Sequence, residues 1–258
     1  MTHNWNFGDF STLNNKDTVS HSYNTDGSFS IKLYSTSNKG CQDSTTTNVT
    51  VNPSPEPFFV INKDTQCLKY NLFKAVSQTV INSGTFKASW KISDGTTYTD
   101  VDSMQHSFNA AGSYDILMSV VSNNNCKDTM IKTVKVLEMP TSDFSINDLD
   151  QCLEGNQFTF TDNSTFNFGN LIANQWLFDD GQISNNQSSV NHSYLIDNAF
   201  KPGLIVYADN GCFDTSFQDI KVYPHPGSDF NINNAGQCVN NNNFVFTNAT
   251  FIAEGGFN

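Results

Sequence analysis

The chain has 258 residues, with 25 acidic against 13 basic side chains and a formal charge of −12. All 13 basic residues are lysine, so the bidentate arginine reader of phosphates and guanine edges is missing, and the net charge repels a polyanion; nucleic-acid binding is excluded. Apolar residues make up 37%, enough for packed cores, but no run approaches the ~20 residues of a membrane span, so this segment is not expected to insert.

In chain order, the first segment opens on Trp5-Asn-Phe-Gly-Asp9, continues through His21-Ser-Tyr23 and Gly27-Ser-Phe29, and reaches Gly40-Cys41. Prolines 53, 55 and 57 then precede Phe58-Phe-Val-Ile61, which reads as a first strand, with Tyr70, Leu72 and Phe73 in a second. Phe86, Ala88, Trp90 and Ile92 alternate at period two and meet the turn Ser93-Asp94-Gly95. Tyr114, Ile116, Met118 and Val120 alternate again, and Val134 and Val136 close that stretch. Further on come Trp176-Leu-Phe-Asp-Asp-Gly181, His192-Ser-Tyr194, Gly211-Cys212 and finally Cys238.

These markers interlock. Trp5, Trp90 and Trp176 step by 85 and 86, as do His21, His106 and His192; Cys41, Cys126 and Cys212; and Cys67, Cys152 and Cys238. The chain is therefore a tandem array with a period of about 86 residues. Residues 54–138 and 139–224 read as complete units, 1–53 as a unit without its front, and 225–258 as one without its back. That frame is expected of a window on a longer protein, so the missing signal peptide carries no information about location. Period-two patterning broken by Asn, Gly, Asp and Ser clusters predicts an all-β chain of small antiparallel β-sandwiches.

Trp5-Asn-Phe-Gly-Asp9, Trp90-Lys-Ile-Ser-Asp-Gly95 and Trp176-Leu-Phe-Asp-Asp-Gly181 resemble the Trp-x-Phe-Gly-Asp-Gly motif of PKD domains. The resemblance continues in His21-Ser-Tyr23, His106-Ser-Phe108 and His192-Ser-Tyr194, then Gly27-Ser-Phe29 and Gly112-Ser-Tyr114, with Asn198-Ala-Phe200 departing from the pattern. It implies tandem immunoglobulin-like sandwiches of about seven strands. The Gly40-Cys41 and Gly211-Cys212 endings are similar to the variant in giant surface adhesins and filaments of gliding bacteria that use type IX secretion. Those relatives imply an extracellular, non-enzymatic role.

The candidate sites are weighed against that architecture. His21, His106 and His192 fill one repeated position, so an architectural role is expected rather than catalysis, which needs partners gathered once in one cleft. Asp9, Asp94 and Asp180 sit in turns that admit two readings: a calcium ligand, or a β-turn in which Asp bonds its own backbone. The turn reading is adopted, and no cofactor is expected. Trp5, Trp90 and Trp176 are expected in the cores. The six cysteines lack Cys-x-x-Cys spacing, which disfavours zinc and thioredoxin-type chemistry. Given the secreted context that the resemblance implies, one disulfide per unit is expected: Cys67–Cys126 and Cys152–Cys212. Cys41 and Cys238 would be half-bridges with partners outside the chain, and pairing across the 26-residue step, such as Cys41–Cys67, is the alternative.

The expected function is a stalk or filament segment of a large secreted surface adhesin. Its partners would be neighbouring repeats of the same chain and other copies in a filament, with a distal surface, glycan or prey-cell ligand left unidentified. The short proline-bearing junctions Pro53-Ser-Pro-Glu-Pro57, Glu138-Met-Pro140 and Pro224-His-Pro226 suit semi-rigid spacing. The competing readings are a glycan- or protein-binding module and an accessory array of a polysaccharide-degrading enzyme.

Overall fold

The computed structural model describes residues 1–252, so the last six residues of the 225–258 segment lie outside the described residues. Among the described residues every regular element is a β-strand. The chain divides into two compact units, residues 1–66 with 70–136, and residues 67–69 with the chain from 137 onward.

In the first unit, Thr2–Asn6 lies between Thr12–Asn14 and Gly27–Thr36, and Gln42–Val51 completes an antiparallel sheet. Two further sheets follow. Phe73–Ser77 runs between Phe59–Ile61 and Ser103–His106. The other sheet has the order Thr65–Cys67, Lys127–Leu137, Gly112–Ser122, Phe86–Ile92, Thr97–Tyr98. Strand alternation decides what each face does. Phe86–Ile92 buries Ala88, Trp90 and Ile92 and turns Lys87 and Lys91 outward, and Gly112–Ser122 buries Ile116, Met118 and Val120. Trp90 stands opposite Met118 in register, and Phe59 from the facing sheet meets the Trp90 ring edge-on at 5.1 Å. The strand expected to include Tyr70, Leu72 and Phe73 begins at Phe73, and the short strand Thr65–Cys67 precedes it. Tyr70 takes a left-handed conformation at φ 64° and faces solvent, so the chain is still turning there.

The second unit repeats the plan. Phe158–Asp162 lies between Phe144–Ile146 and Ser189–His192. Leu171–Leu177 lies between Ile183–Asn185 and Gly203–Ala208, with Phe213–Phe217 outermost. Asp150–Cys152 joins Ile220–Tyr223 in parallel, and Asn198–Phe200 flanks the same strand. Trp176 is fully buried, with Phe144 edge-on at 5.4 Å and Phe160 at 5.8 Å. Full burial of aromatic rings of this size supplies much of the hydrophobic stabilisation of so small a core.

The two outer segments cover the same residue types less completely, Phe7 excepted. In residues 1–53 the sheet face carrying Trp5, Phe7, Ile31 and Val49 lines a groove of about 490 Å³. At the other end Phe230–Ile232 pairs only with Phe246–Asn248. Phe230 and Phe246 are 58% and 63% exposed, whereas Phe144 and Phe160 at the corresponding repeat positions are 3% and 0%. Register alone does not bury a phenylalanine; the facing sheet does.

Candidate functional site

Each repeat builds the same corner from its Trp, Asp and His. The indole Nε1 donates to the carbonyl eleven residues on: Trp5 to Lys16 (3.0 Å), Trp90 to Val101 (2.8 Å) and Trp176 to Gln187 (2.9 Å). Each motif aspartate closes a local turn by accepting the N–H two residues later, from Ser11 on Asp9 (3.0 Å), Thr96 on Asp94 (2.9 Å) and Gln182 on Asp180 (2.9 Å). Its other oxygen meets the His Nε2 at 2.6 Å for Asp9–His21 and at 2.7 Å for both Asp94–His106 and Asp180–His192. The imidazole thus ties the turn to the chain twelve residues away, at a strand end for His106 and His192.

The corner adapts to what surrounds it. His21 stacks on Phe7 at 4.2 Å and His192 on Phe178 at 4.0 Å. The middle repeat has Ile92 at the stacking position, and His106 keeps the edge-on contact two residues along, to Phe108 at 4.6 Å, that His21 and His192 make to Tyr23 and Tyr194 at 4.7 Å. Tyr23 and Tyr194 donate their hydroxyls to the Phe7 and Phe178 carbonyls, each at 2.8 Å. Ser11 and His21 bonds hold the Asp9 carboxyl down at about 2. At Asp94 burial pushes upward, but the Thr96 and His106 bonds outweigh it and the pKa is lowered. Burial, with Asp180 and Asp179 nearby, pushes the Tyr194 hydroxyl up.

The aspartate oxygens, the indole N–H and the imidazole Nε2 of each corner therefore meet another part of the fold. Asp180 is engaged by Gln182 and His192, and the adjacent Asp179 accepts the Lys201 N–H at 2.8 Å. Both of these adjacent carboxylates accept protein donors. Among the described residues no three His, Cys, Asp or Glu side chains cluster to hold a metal ion.

One participant escaped the sequence reading. Asn71 accepts the Phe108 N–H at 2.8 Å and donates to the Phe108 carbonyl at 2.9 Å, clamping the loop after Cys67 to the segment that follows the strand Ser103–His106. Asn156 does the same to Tyr194, at 2.7 and 2.9 Å. Both asparagines are buried. The signal was a recurrent Asn four residues after Cys67, Cys152 and Cys238, lost in an Asn-rich chain.

The cysteines depart from expectation. Cys67 is bonded to Cys212, with Cα atoms 5.7 Å apart, and Cys41, Cys126, Cys152 and Cys238 are unbridged. The expected pairs Cys67–Cys126 and Cys152–Cys212 are overturned, for a geometric reason. Cys126 precedes the 11-residue strand Lys127–Leu137, whereas Leu68, next to Cys67, donates its N–H to Leu137 at that strand's far end. At ~3.3 Å per residue the two cysteines stand roughly 35 Å apart, and a disulfide needs Cα atoms within about 7 Å. Likewise Cys152 pairs in register with Tyr223, and Cys212 precedes Phe213–Phe217 at the opposite end of that run. The bridge that forms joins a cysteine near the beginning of one repeat, in sequence, to one near the end of the next. Beside it Lys69 and Asp214 make an ion pair at 2.9 Å. Asp214 also accepts the Ser142 N–H at 3.1 Å; burial pushes its carboxyl up, but these bonds outweigh it and the pKa is lowered.

The fold and this bonding define the chain as a tandem array of immunoglobulin-like β-sandwiches. Residues 1–51 match the family model described as the PKD domain. The PKD1 domain of Vibrio anguillarum Epp is similar at 23% identity, over 33% of this chain and 93% of that one, with a TM-score of 0.29. The PKD1 domain from Vibrio cholerae metalloprotease PrtV is similar at 28% identity, over 33% of this chain and 96% of that one, with a TM-score of 0.29. The fibronectin(III)-like modules of Clostridium thermocellum CbhA are 13% identical over 65% of this chain and 95% of theirs, with a TM-score of 0.35. No curated protein matches the sequence.

Proposed function

We propose that this chain is a non-enzymatic, load-bearing spacer within an extracellular surface protein, of the stalk or filament kind that presents a distal adhesive element. The observation that carries the reading is the Cys67–Cys212 bridge, which couples successive repeats covalently. The chemistry-bearing side chains support it: the motif His, Asp and Trp recur once per repeat and are spent on one another or on backbone groups, as are Tyr23 and Tyr194. The PKD-type match at residues 1–51 agrees with an extracellular structural or adhesive module. The resemblance to adhesins of gliding bacteria supplies the biological setting, with neighbouring repeats and other copies of the chain as partners.

Excision of one period, residues 139–224, from the gene in its natural setting tests the role. The expected result is a shorter surface projection that still attaches to the same targets. Loss of target choice would assign binding to the excised repeat and refute the spacer reading. Polysaccharide or peptide turnover by the purified chain, abolished by His192→Gln, would refute its non-enzymatic character.

A further inference from the structure

The bridge between Cys67 and Cys212 spans 145 residues, and no other pair of the six cysteines has that separation. The remaining cysteines nevertheless occupy the same two structural positions. Cys152 ends a short strand beside the last strand of its repeat, and Leu153 donates to Tyr223 just as Leu68 donates to Leu137. Cys126 closes the same turn as Cys212. Its carbonyl accepts the Ser122 N–H at 2.9 Å, and the Cys212 carbonyl accepts the Ala208 N–H at 2.8 Å. Each turn also carries an internal bond, Asn125 to Ser122 and Gly211 to Ala208. Both turns reach the segment by which the chain arrives at its repeat: the Cys126 Sγ lies 3.9 Å from the Asn52 carbonyl, and Asn210 donates to the Glu138 carbonyl. The aspartate that pairs with Lys69 recurs as well, in Cys41-Gln-Asp43, Cys126-Lys-Asp128 and Cys212-Phe-Asp214.

We propose that Cys152 and Cys126 are covalent docking sites for flanking repeats, so that every strand-end cysteine bonds the turn cysteine of the following repeat and the array forms a disulfide ladder. Cys152 would take a turn cysteine 145 or 146 residues onward, and Cys126 would receive a strand-end cysteine from the repeat before it. In each step two thiols lose two protons and two electrons to a small disulfide such as oxidised glutathione, which leaves as two thiols. The pairing stands on register and turn geometry, so it holds whether or not the spacer reading does. Its consequence is mechanical. A load entering at Cys67 crosses to Cys212, follows 26 residues to Cys238 and crosses again, so two periods share a single extensible run. That run reaches ~90 Å at about 3.3–3.6 Å per residue. Without bridges the two periods would reach roughly 600 Å.

The test inserts a second copy of residues 54–224 between Pro224 and His225 of the full chain. It preserves the repeat frame and places the inserted Cys126 145 residues after the original Cys152. The product is oxidised with glutathione, its thiols are alkylated, and its peptides are mapped without reduction. The expected map contains a Cys67–Cys212 bridge in each copy and a new bridge from the original Cys152 to the inserted Cys126. The two Cys67–Cys212 bridges report folding within the same molecule. If they form and no Cys152–Cys126 linked peptide appears, or Cys152 is found joined to any other cysteine, the ladder is wrong. If Cys67–Cys212 is missing from the unmodified chain, its premise is wrong.

Discussion

Pulling the chain from its two ends measures the bridge directly. With Cys67 bonded to Cys212, the stretch between them carries no load and its length stays hidden. A separation of 145 residues, at about 3.3–3.6 Å per residue, hides roughly 480–520 Å of contour. Force spectroscopy with and without reductant should therefore differ by that amount, released as one block of hidden length. Two bridges of the kind Cys67–Cys126 and Cys152–Cys212 would instead hide two separate loops of about 200 Å each. The variant Cys67→Ser sharpens the contrast. It should release the whole hidden length even without reductant, whereas the intra-repeat scheme would keep one ~200 Å loop locked. Identical traces with and without reductant, or a residual lock in Cys67→Ser, would refute the reasoning. The same bridge closes a loop long enough that chain entropy values it at roughly 5 kcal/mol, so reduction should also lower the denaturant midpoint of the unit from 137 onward.

Asn156→Ala orphans the buried N–H and C=O of Tyr194 and should destabilise its sandwich by roughly 2–4 kcal/mol, read as a lower urea midpoint; a change under about 0.5 kcal/mol would show that the clamp is dispensable. Acid should weaken the corner. Asp9 is lowered from 3.8 to about 2, so its stabilisation is complete above pH 3.8 and disappears as pH falls through about 2; Asp94 and Asp214 are lowered in the same direction. Melting between pH 5 and 2 should show that decline, and Asp9→Asn should flatten the share from residues 1–53. Hydrogen exchange should find strands 86–92, 112–122 and 203–208 well protected and residues 1–53 and 225–252 poorly protected, because Phe230 and Phe246 face solvent where Phe144 and Phe160 are core. Equal protection throughout would contradict this.

The local chemistry was legible in the residues because it is periodic. Strand alternation around Trp90 and Met118 names the buried face without any knowledge of the partner sheet, since a strand has only two faces. The aspartate turns were legible for a similar reason: Asx bonding acts over two residues, as Thr96 on Asp94 shows. The His–Asp pairing spans twelve residues, and sequence could say only that both positions recur. The Asn71 and Asn156 clamps reach across 37 and 38 residues and left no mark distinguishable from other asparagines. The disulfide lay furthest from view. Spacing grouped the cysteines correctly into two repeated positions, but a disulfide is chosen by distance in space, not along the chain. Only the tertiary structure revealed that the strand Lys127–Leu137 holds Cys67 and Cys126 at opposite ends of one sandwich and that the next repeat brings Cys212 within 5.7 Å of Cys67 between Cα atoms.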